Sequence, residues 1–491
     1  MLRVVAMAVG LLAAGVVLTT AAAAPAATTT LHAFSDGVDG GAPTFAPIDG
    51  GDGFLYGVTQ TGGVQANGAY GFGTIYRTDA GGNVDTLYTF DEVTGQHPQG
   101  LTRAADGSFY GLASHGGHTD PDAFTTGYGS LFRFDPATRS TTKLWEIWPI
   151  HGAWPSAAPT IGPDGALYGT GRYGGAFQYY GTVWRWTPET GLRVIHDFNL
   201  SDGKAPLGPL TVGRDGWLYG TTDQGAGGCG SVYRISPTGA FQSFGLGVGC
   251  NPKGGVIQAS DGNFYGTTHG TGAGTVFRMT PAGEFSLVHR FDYQYAATGG
   301  KPVGPLMQAA DGYVYGTTDQ GGATGQGVVF RFDPVTDNLQ VLHEFRGSDG
   351  QGPTAGLTQW SDGQFYGVTG VGGTYGRGVL YSLSTAGLPA PQPPVTKPVL
   401  SAILADPSTI RGGTSAVGTV TLTAAAPAGG AKVTVKSSSH SVTAPSSVTI
   451  PEGTNQIRFS IGTKKVRATT QVTLTASYDG VSKQVMLTLT R

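Results

Sequence analysis

The chain is poor in charge and in cysteine. Only 12% of its 491 residues are Asp, Glu, Lys or Arg, about half the usual share. The net charge is −3, and the large N-terminal part of the chain carries no basic excess that would argue for nucleic-acid binding. There are just two cysteines, Cys229 and Cys250, so neither a disulfide framework nor a Cys-based zinc ribbon can be built. Beyond the first two dozen residues no long apolar run occurs, which leaves no candidate membrane-spanning helix in the body of the chain. No nucleophile elbow, HExxH, P-loop or paired CxxC motif is present. Glycine is the opposite case: 83 residues, more than twice the ordinary ~7%. With 10% aromatics the composition describes a turn-rich all-β protein and not a disordered one.

The glycines fall in a pattern. Asp-Gly-x-apolar-Tyr-Gly occurs seven times, starting at Asp52, Asp106, Asp164, Asp215, Asp261, Asp311 and Asp362, at intervals of 54, 58, 51, 46, 50 and 51 residues. A period near fifty with short strands predicts propeller blades. In residues 302–345 the unit reads as a strand after Pro302, a tight turn at Asp311-Gly312, the strand YVYGTT, a loop opening with Gly321-Gly322, the strand VVFRF, a turn at Asp333-Pro334, and the strand LQVLHEF. Four strands times seven predicts a seven-bladed β-propeller over residues 31–385. The first repeat is preceded by LHAF, Leu31 to Phe34, a fourth strand without a blade. The last ends at Tyr381 to Thr385 and lacks one. The N-terminal strand is therefore expected to complete the last blade and remove the exposed edges.

The paired glycines, aromatic third strand and DP-x-T resemble kelch repeats. DG-x-LYGTT, GG and GTVF, with YGTT at Tyr219, Tyr265 and Tyr315 and GTVFR at Gly274, are more similar to the bacterial GloVer (Gloeobacter–Verrucomicrobia) tandem repeat. The resemblance implies fold and export, and it carries no catalytic residue. Two departures stand out: the repeat of Asp106 ends in Trp148 where others have Phe, and the last has Ser382 in place of the third-strand Arg.

The remaining segments are read from composition. Residues 1–24 have a charged start at Arg3, an apolar run from Val4 to Val17 and small residues at Ala21 to Ala24, the pattern of a secretory signal. Residues 386–398 are a Pro-rich linker. Residues 399–491 hold seven Thr/Val-rich strand-like runs and resemble the immunoglobulin-like sandwiches appended to bacterial exported proteins, without a cysteine bridge. Nine Lys/Arg against three Asp/Glu give 398–491 a charge of +6, leaving −9 for the rest. In an exported chain Cys229 and Cys250 are expected to form a disulfide.

Residues present seven times are expected to build the blade. The Asp-Gly turns, their Tyr, the third-strand Arg, and His32, His196, His289 and His343 of the fourth strand are read as structural. Function is sought in what does not repeat, on the face carrying the long second-to-third-strand loops. There the second repeat offers His115, His118, Asp120 and Asp122. The following segments add Trp148, His151, Trp154, Tyr173, Phe177, Tyr179 and Tyr180. Nitrogen and oxygen groups so spaced could hold a divalent ion, but they match no established metal motif, and a solvated polar loop accounts for them better. No metal or cofactor is expected. Aromatic rings beside polar groups suit the faces of sugars or peptides. The expected function is an exported, monomeric, non-catalytic protein that binds an extracellular glycan or protein. The alternative is a polysaccharide-active hydrolase or lyase using Asp120 or Asp122. The order of propeller then Ig-like domain also resembles copper radical oxidases. No adjacent Tyr-His pair occurs, however, and a disulfide would consume the cysteine that chemistry needs.

Overall fold

The computed structural model describes residues 26–65, 67–117, 127–225, 227–270, 272–292, 297–388, 398–426, 430–479 and 481–491. Residues 1–24, read above as a secretory signal, most of the linker, and His118, Asp120 and Asp122 lie outside them. The chain divides into two compact units, residues 1–390 and 391–491.

The first unit contains seven antiparallel sheets among the described residues. In the first, Ile48–Asp49, Leu55–Thr59, Thr74–Thr78 and Val84–Thr89 pair in chain order. Five of the remaining sheets repeat this up-and-down order, with an extra short strand, Lys204–Pro206, in the fourth. The seventh takes its outer strand from the other end of the chain: Ala27–Ala33 pairs antiparallel with Val379–Ser384, Ala27 opposite Ser384 and Ala33 opposite Val379.

The second strands Leu55–Thr59, Leu167–Gly171, Phe264–Thr268, Val314–Thr318 and Phe365–Thr369 are buried at every residue, because neighbouring sheets cover both their faces. The Gly after each repeated Tyr is required there: a Cβ on Gly57, Gly169 or Gly266 would run into the third-strand ring of Tyr76, Trp184 or Phe277. The Asp-Gly turn is held by its own Asp. At Asp261 one carboxylate oxygen accepts the Asn263 N–H at 3.0 Å and the other accepts the Tyr265 hydroxyl at 2.8 Å. The same Tyr–Asp bond recurs at Tyr56, Tyr168, Tyr219, Tyr315 and Tyr366. In the second repeat Asp106 is instead engaged by Ser108 and Arg133.

Consecutive sheets are stitched at the residue before each repeat's proline. The backbone N–H of Ala42, His97, Trp154, Ala205, Asn251, Lys301 and Gly352 donates to a carbonyl in the loop of the preceding repeat, at 2.6–3.1 Å. The donor at Ala42 reaches Arg377, so the seventh repeat is joined to the first. All seven residues have φ between 51° and 60°, although six are not glycine. A left-handed non-glycine residue costs of order 1–3 kcal/mol and persists where its surroundings over-determine it; seven identical joints do so.

One sequence reading is corrected. The residue equivalent to the terminal Phe in the second sheet is Ile147, not Trp148. Its N–H donates to Gly129 O as Phe90 and Phe198 donate to Gly73 O and Gly181 O, and it is buried. Trp148 is thereby pushed past the blade edge and left 44% exposed.

The second unit has two sheets. One runs in the order Leu400–Asp406, Ser415–Leu422, Gln456–Thr463, Val442–Thr443. The other runs Thr409–Arg411, Val481–Thr490, Thr470–Tyr478, Ala431–Ser437, Ser447–Ile450. Alternating apolar residues from both, among them Val420, Ile461, Val433 and Leu474, share one core. The pairing of Thr409–Arg411 with the last strand is parallel. The short strands Thr409–Arg411 and Val442–Thr443 bring the total above the seven runs visible in sequence.

Candidate functional site

Antiparallel pairing puts the end of each second strand beside the start of each first strand, on the side of the long loops. The left-handed joint residues therefore present their side chains around the same end of the unit as the residues that follow YGTT. Both sets vary where nearly everything else repeats. The joint set is Ala42, His97, Trp154, Ala205, Asn251, Lys301 and Gly352. The other is Gln60, Ser114, Arg172, Asp223, His269, Asp319 and Gly370. Sequence reasoning named only Trp154 among these fourteen. The signal for the rest was present, as variation at fixed positions inside a constant repeat.

Between the second and third repeats these positions form an aromatic cluster. The Trp154 ring lies 5.6 Å from Tyr173, 6.1 Å from Tyr128 and 6.3 Å from His115, centroid to centroid. His97 meets His115 edge-on at 5.4 Å, and the Arg172 guanidinium lies over Tyr173 at 5.1 Å. Burial, helped by the neighbouring His97, holds the His115 pKa below that of a free imidazole. The ring is thus neutral at pH 7 and packs as an aromatic. Trp154 keeps 36% of its surface exposed. His115, Trp154 and Tyr173 are therefore brought together.

The other aromatic candidates spread outward. The Pro149–His151 turn carries His151, whose Nδ1 accepts the Trp148 N–H at 3.4 Å and whose ring faces Trp145 at 6.1 Å. Burial lowers its pKa as well. Tyr180 meets Phe177 at 6.4 Å and the Lys204 ammonium at 5.9 Å, while Tyr179 is 67% exposed.

A charged arc occupies the opposite repeats. Lys301 Nζ donates to His269 O at 3.1 Å. Burial, with Lys253 and Lys301 adding to it, lowers the His269 pKa to about 4. Burial raises that of Asp319 against the pull of Lys253. Among the described residues no three His, Cys, Asp or Glu side chains converge on a metal position.

Below this ring the first strands and the segments that lead into them surround a cavity of about 500 Å³. Every repeat contributes to its wall, with residues such as Phe45, Leu101, Ala158, Leu207, Gly254, Leu306 and Leu357. Threonine hydroxyls link neighbouring first strands around it. Thr160 donates to Leu210 O at 2.8 Å, and Thr102, Thr211 and Thr358 donate to Pro159 O, Val256 O and Pro47 O. Cys229 and Cys250 are disulfide-bonded, covalently joining the fourth repeat's loop to the entry of the fifth.

This architecture, all-β and built from blade-like four-stranded sheets around a common cavity, is that of a β-propeller-like repeat protein. The Gloeobacter/Verrucomicrobia repeat matches at residues 64–246, 121–292 and 225–389, and the chain belongs to that family. No curated protein sequence matches it. Among solved structures it is similar to a catalytically inactive virginiamycin B lyase from Staphylococcus aureus bound to quinupristin. That match has 15% identity and a TM-score of 0.51, over 73% of this chain and 99% of the lyase. It also matches a fungal alcohol oxidase of the AA5 family in complex with copper, at 14% identity and a TM-score of 0.46, over 96% and 100% of the two chains. A third is the extracellular domain of a putative one-component system, BT4673, from B. thetaiotaomicron. It has 10% identity and a TM-score of 0.43, over 92% and 57%. At 15% identity the likeness to the lyase is one of fold alone.

Proposed function

We propose that the chain is an exported binding protein without catalytic activity. In this reading the first unit is a seven-bladed propeller closed by its N-terminal strand, and the second is an immunoglobulin-like spacer. The propeller takes an extracellular glycan on the long-loop face of its second and third repeats. Export is supported by the Arg3-led apolar segment and by the Cys229–Cys250 bond, which suits an oxidising compartment.

The observation that carries the binding role is Trp154. A left-handed backbone position, fixed by the bond to Tyr128 O, holds a partly exposed indole among Tyr128, Tyr173 and His115. A rigid ring bordered by polar tips stacks on sugar faces at little entropic cost.

The test is a glycan-array screen of the secreted protein, followed by titration of the best hit. Trp154→Ala is expected to weaken that binding several-fold, since stacking is worth about 0.5–1.5 kcal/mol beyond buried area. It should spare the unfolding temperature. Asp362→Asn, in a turn on the opposite face, should leave affinity unchanged. Equal losses from both variants would move the site elsewhere. An array without hits, beside a captured protein partner that needs Trp154, would replace the glycan by a protein.

A further inference from the structure

The central cavity has a charge pattern of its own. Among the described residues of its wall only two are ionisable, Arg172 and Lys253, and both are cations; no described carboxylate or histidine lines it. Arg172 follows the strand Leu167–Gly171, and Lys253 precedes the strand Val256–Gln258. Antiparallel pairing places both at the long-loop end. The rest of the wall is alanine, proline, leucine, valine, isoleucine, phenylalanine, glycine and hydroxyl residues. The cavity thus has an apolar body and a cationic mouth.

Both cations are available to a ligand. Among the described residues the Arg172 guanidinium packs on Tyr173 and pairs with no carboxylate. Lys253 likewise has no carboxylate within 4.0 Å. Its charge is felt by its neighbours, because it helps to disfavour protonation of His269 and draws Asp319 toward ionisation. Asp319 is the acid nearest in effect, and its own burial opposes that ionisation. Lys301, on the same arc, is turned to His269 O. Arg172 is exposed and Lys253 is half-buried, so both reach the solvent at the mouth and can turn to an incoming anion. The arrangement gains when an anion occupies the mouth and an apolar group displaces water below. A volume of about 500 Å³ falls within the range of small-molecule sites.

We propose that this cavity binds a small organic carboxylate with an apolar body, its charge against the arc from Arg172 to Lys253 and its hydrocarbon between the first strands. The site adjoins the Trp154 surface through Arg172, which stacks on Tyr173, but neither the Trp154 nor the Tyr173 ring lines the cavity, and the proposal stands whatever that surface binds.

The experiment uses the full secreted chain at pH 7.5 with octanoate and phenylacetate as probes. Octanamide and phenylacetamide, of the same shape but uncharged, serve as controls. Binding is read by ligand-observed NMR and by calorimetry. At least one carboxylate is expected to bind, with its amide at least tenfold weaker. Lys253→Gln and Arg172→Gln should each lower carboxylate affinity at least fivefold while leaving the far-ultraviolet spectrum and the unfolding temperature unchanged. Ser156→Trp, which fills the mouth, should abolish binding. Equal affinity for acid and amide, retention of binding in Ser156→Trp or in both cation variants, or no binding of any probe at millimolar concentration would overturn the proposal. Octanoate binding that survives Lys253→Gln but is lost with Arg172→Gln would support the site with Arg172 as the main anchor. Should an array-identified glycan still bind the Ser156→Trp variant normally, the two sites are independent.

Discussion

The Thr28 hydroxyl lies 2.7 Å from Nδ1 of His343. Thr28 belongs to the strand that pairs with Val379–Ser384, whereas His343 lies in Leu339–Glu344 of the sixth sheet. His343 is held at its other nitrogen by Asp349, at 3.0 Å. A few residues on, Phe34 is fully buried and packs 5.3 Å from Tyr76 of the first sheet. One N-terminal segment therefore binds the sixth, seventh and first repeats together. Removing residues 26–34 is expected to lower the unfolding temperature of the whole first unit, and Phe34→Ala alone to cost about 3–5 kcal/mol through cavity formation. Calorimetry of both variants checks this. A first-unit transition that does not move on deletion would show the strand to be dispensable.

The bond between the repeated Tyr and Asp separates two roles that coincide in the motif. Tyr265 gives its hydroxyl to Asp261, but no such bond is made by Tyr110, which is only half-buried. Tyr265→Phe is expected to cost about 1 kcal/mol, the ordinary net value of such a bond. Tyr110→Phe should cost close to nothing. Denaturant titration of the two variants measures the difference, and equal costs would mean that ring packing alone explains the tyrosine.

The repeat made the sheets legible, because short apolar runs bounded by Asp-Gly turns are local properties of the chain. The Tyr–Asp bond is four residues long and still escaped notice, since an Asx turn already accounted for the Asp. The Ile147/Trp148 assignment failed for a different reason: position in the fourth strand is set by the bond from residue 147 to Gly129 O, across eighteen positions of chain. The joint residues were hidden because left-handed backbone before proline has no side-chain signature; Ala, His, Trp, Asn and Lys all occupy it. Of the candidate site, His115, Trp154 and Tyr173 could be grouped from sequence as neighbours in number. The Arg172 and Lys253 cavity could not, because it depends on the first strands and the segments that lead into them facing inward.

The disulfide reinforces one joint among seven. Asn251 N–H donates to Cys229 O at 3.0 Å as its equivalents do elsewhere, and here the Cys229–Cys250 bond adds a covalent tie. Replacing both cysteines by serine is expected to cost about 3 kcal/mol in the chain-entropy view of a loop this short. It should leave the fold intact, since six joints manage with the hydrogen bond alone. Non-reducing peptide mapping should recover the linked peptides from protein purified without reductant. Two freely alkylatable thiols in that material would exclude the bond.

Acid sensitivity follows from the histidines. His115, His151, His196, His269, His289 and His343 all have folded pKa values below the free value of 6.5, with burial the largest cause in each. Asp202, Asp292 and Asp349 partly oppose it at His196, His289 and His343, whereas Lys253 and Lys301 reinforce it at His269, which falls to about 4. A depressed histidine takes up its proton more readily once unfolded. Its contribution to stability is therefore complete above pH 6.5 and is lost as pH falls from there toward the folded value. Asp319 and Asp337, raised by burial, act in the opposite sense between their unfolded and folded values, and two groups offset six only in part. The unfolding temperature should be level above pH 7 and fall steadily from pH 6.5 to 4.5. His269→Gln, which removes the most depressed group, should make that slope shallower. The check is a series of thermal melts at constant ionic strength. A level profile across that window, or an unchanged slope in His269→Gln, would mean that these imidazoles are not held neutral by the fold.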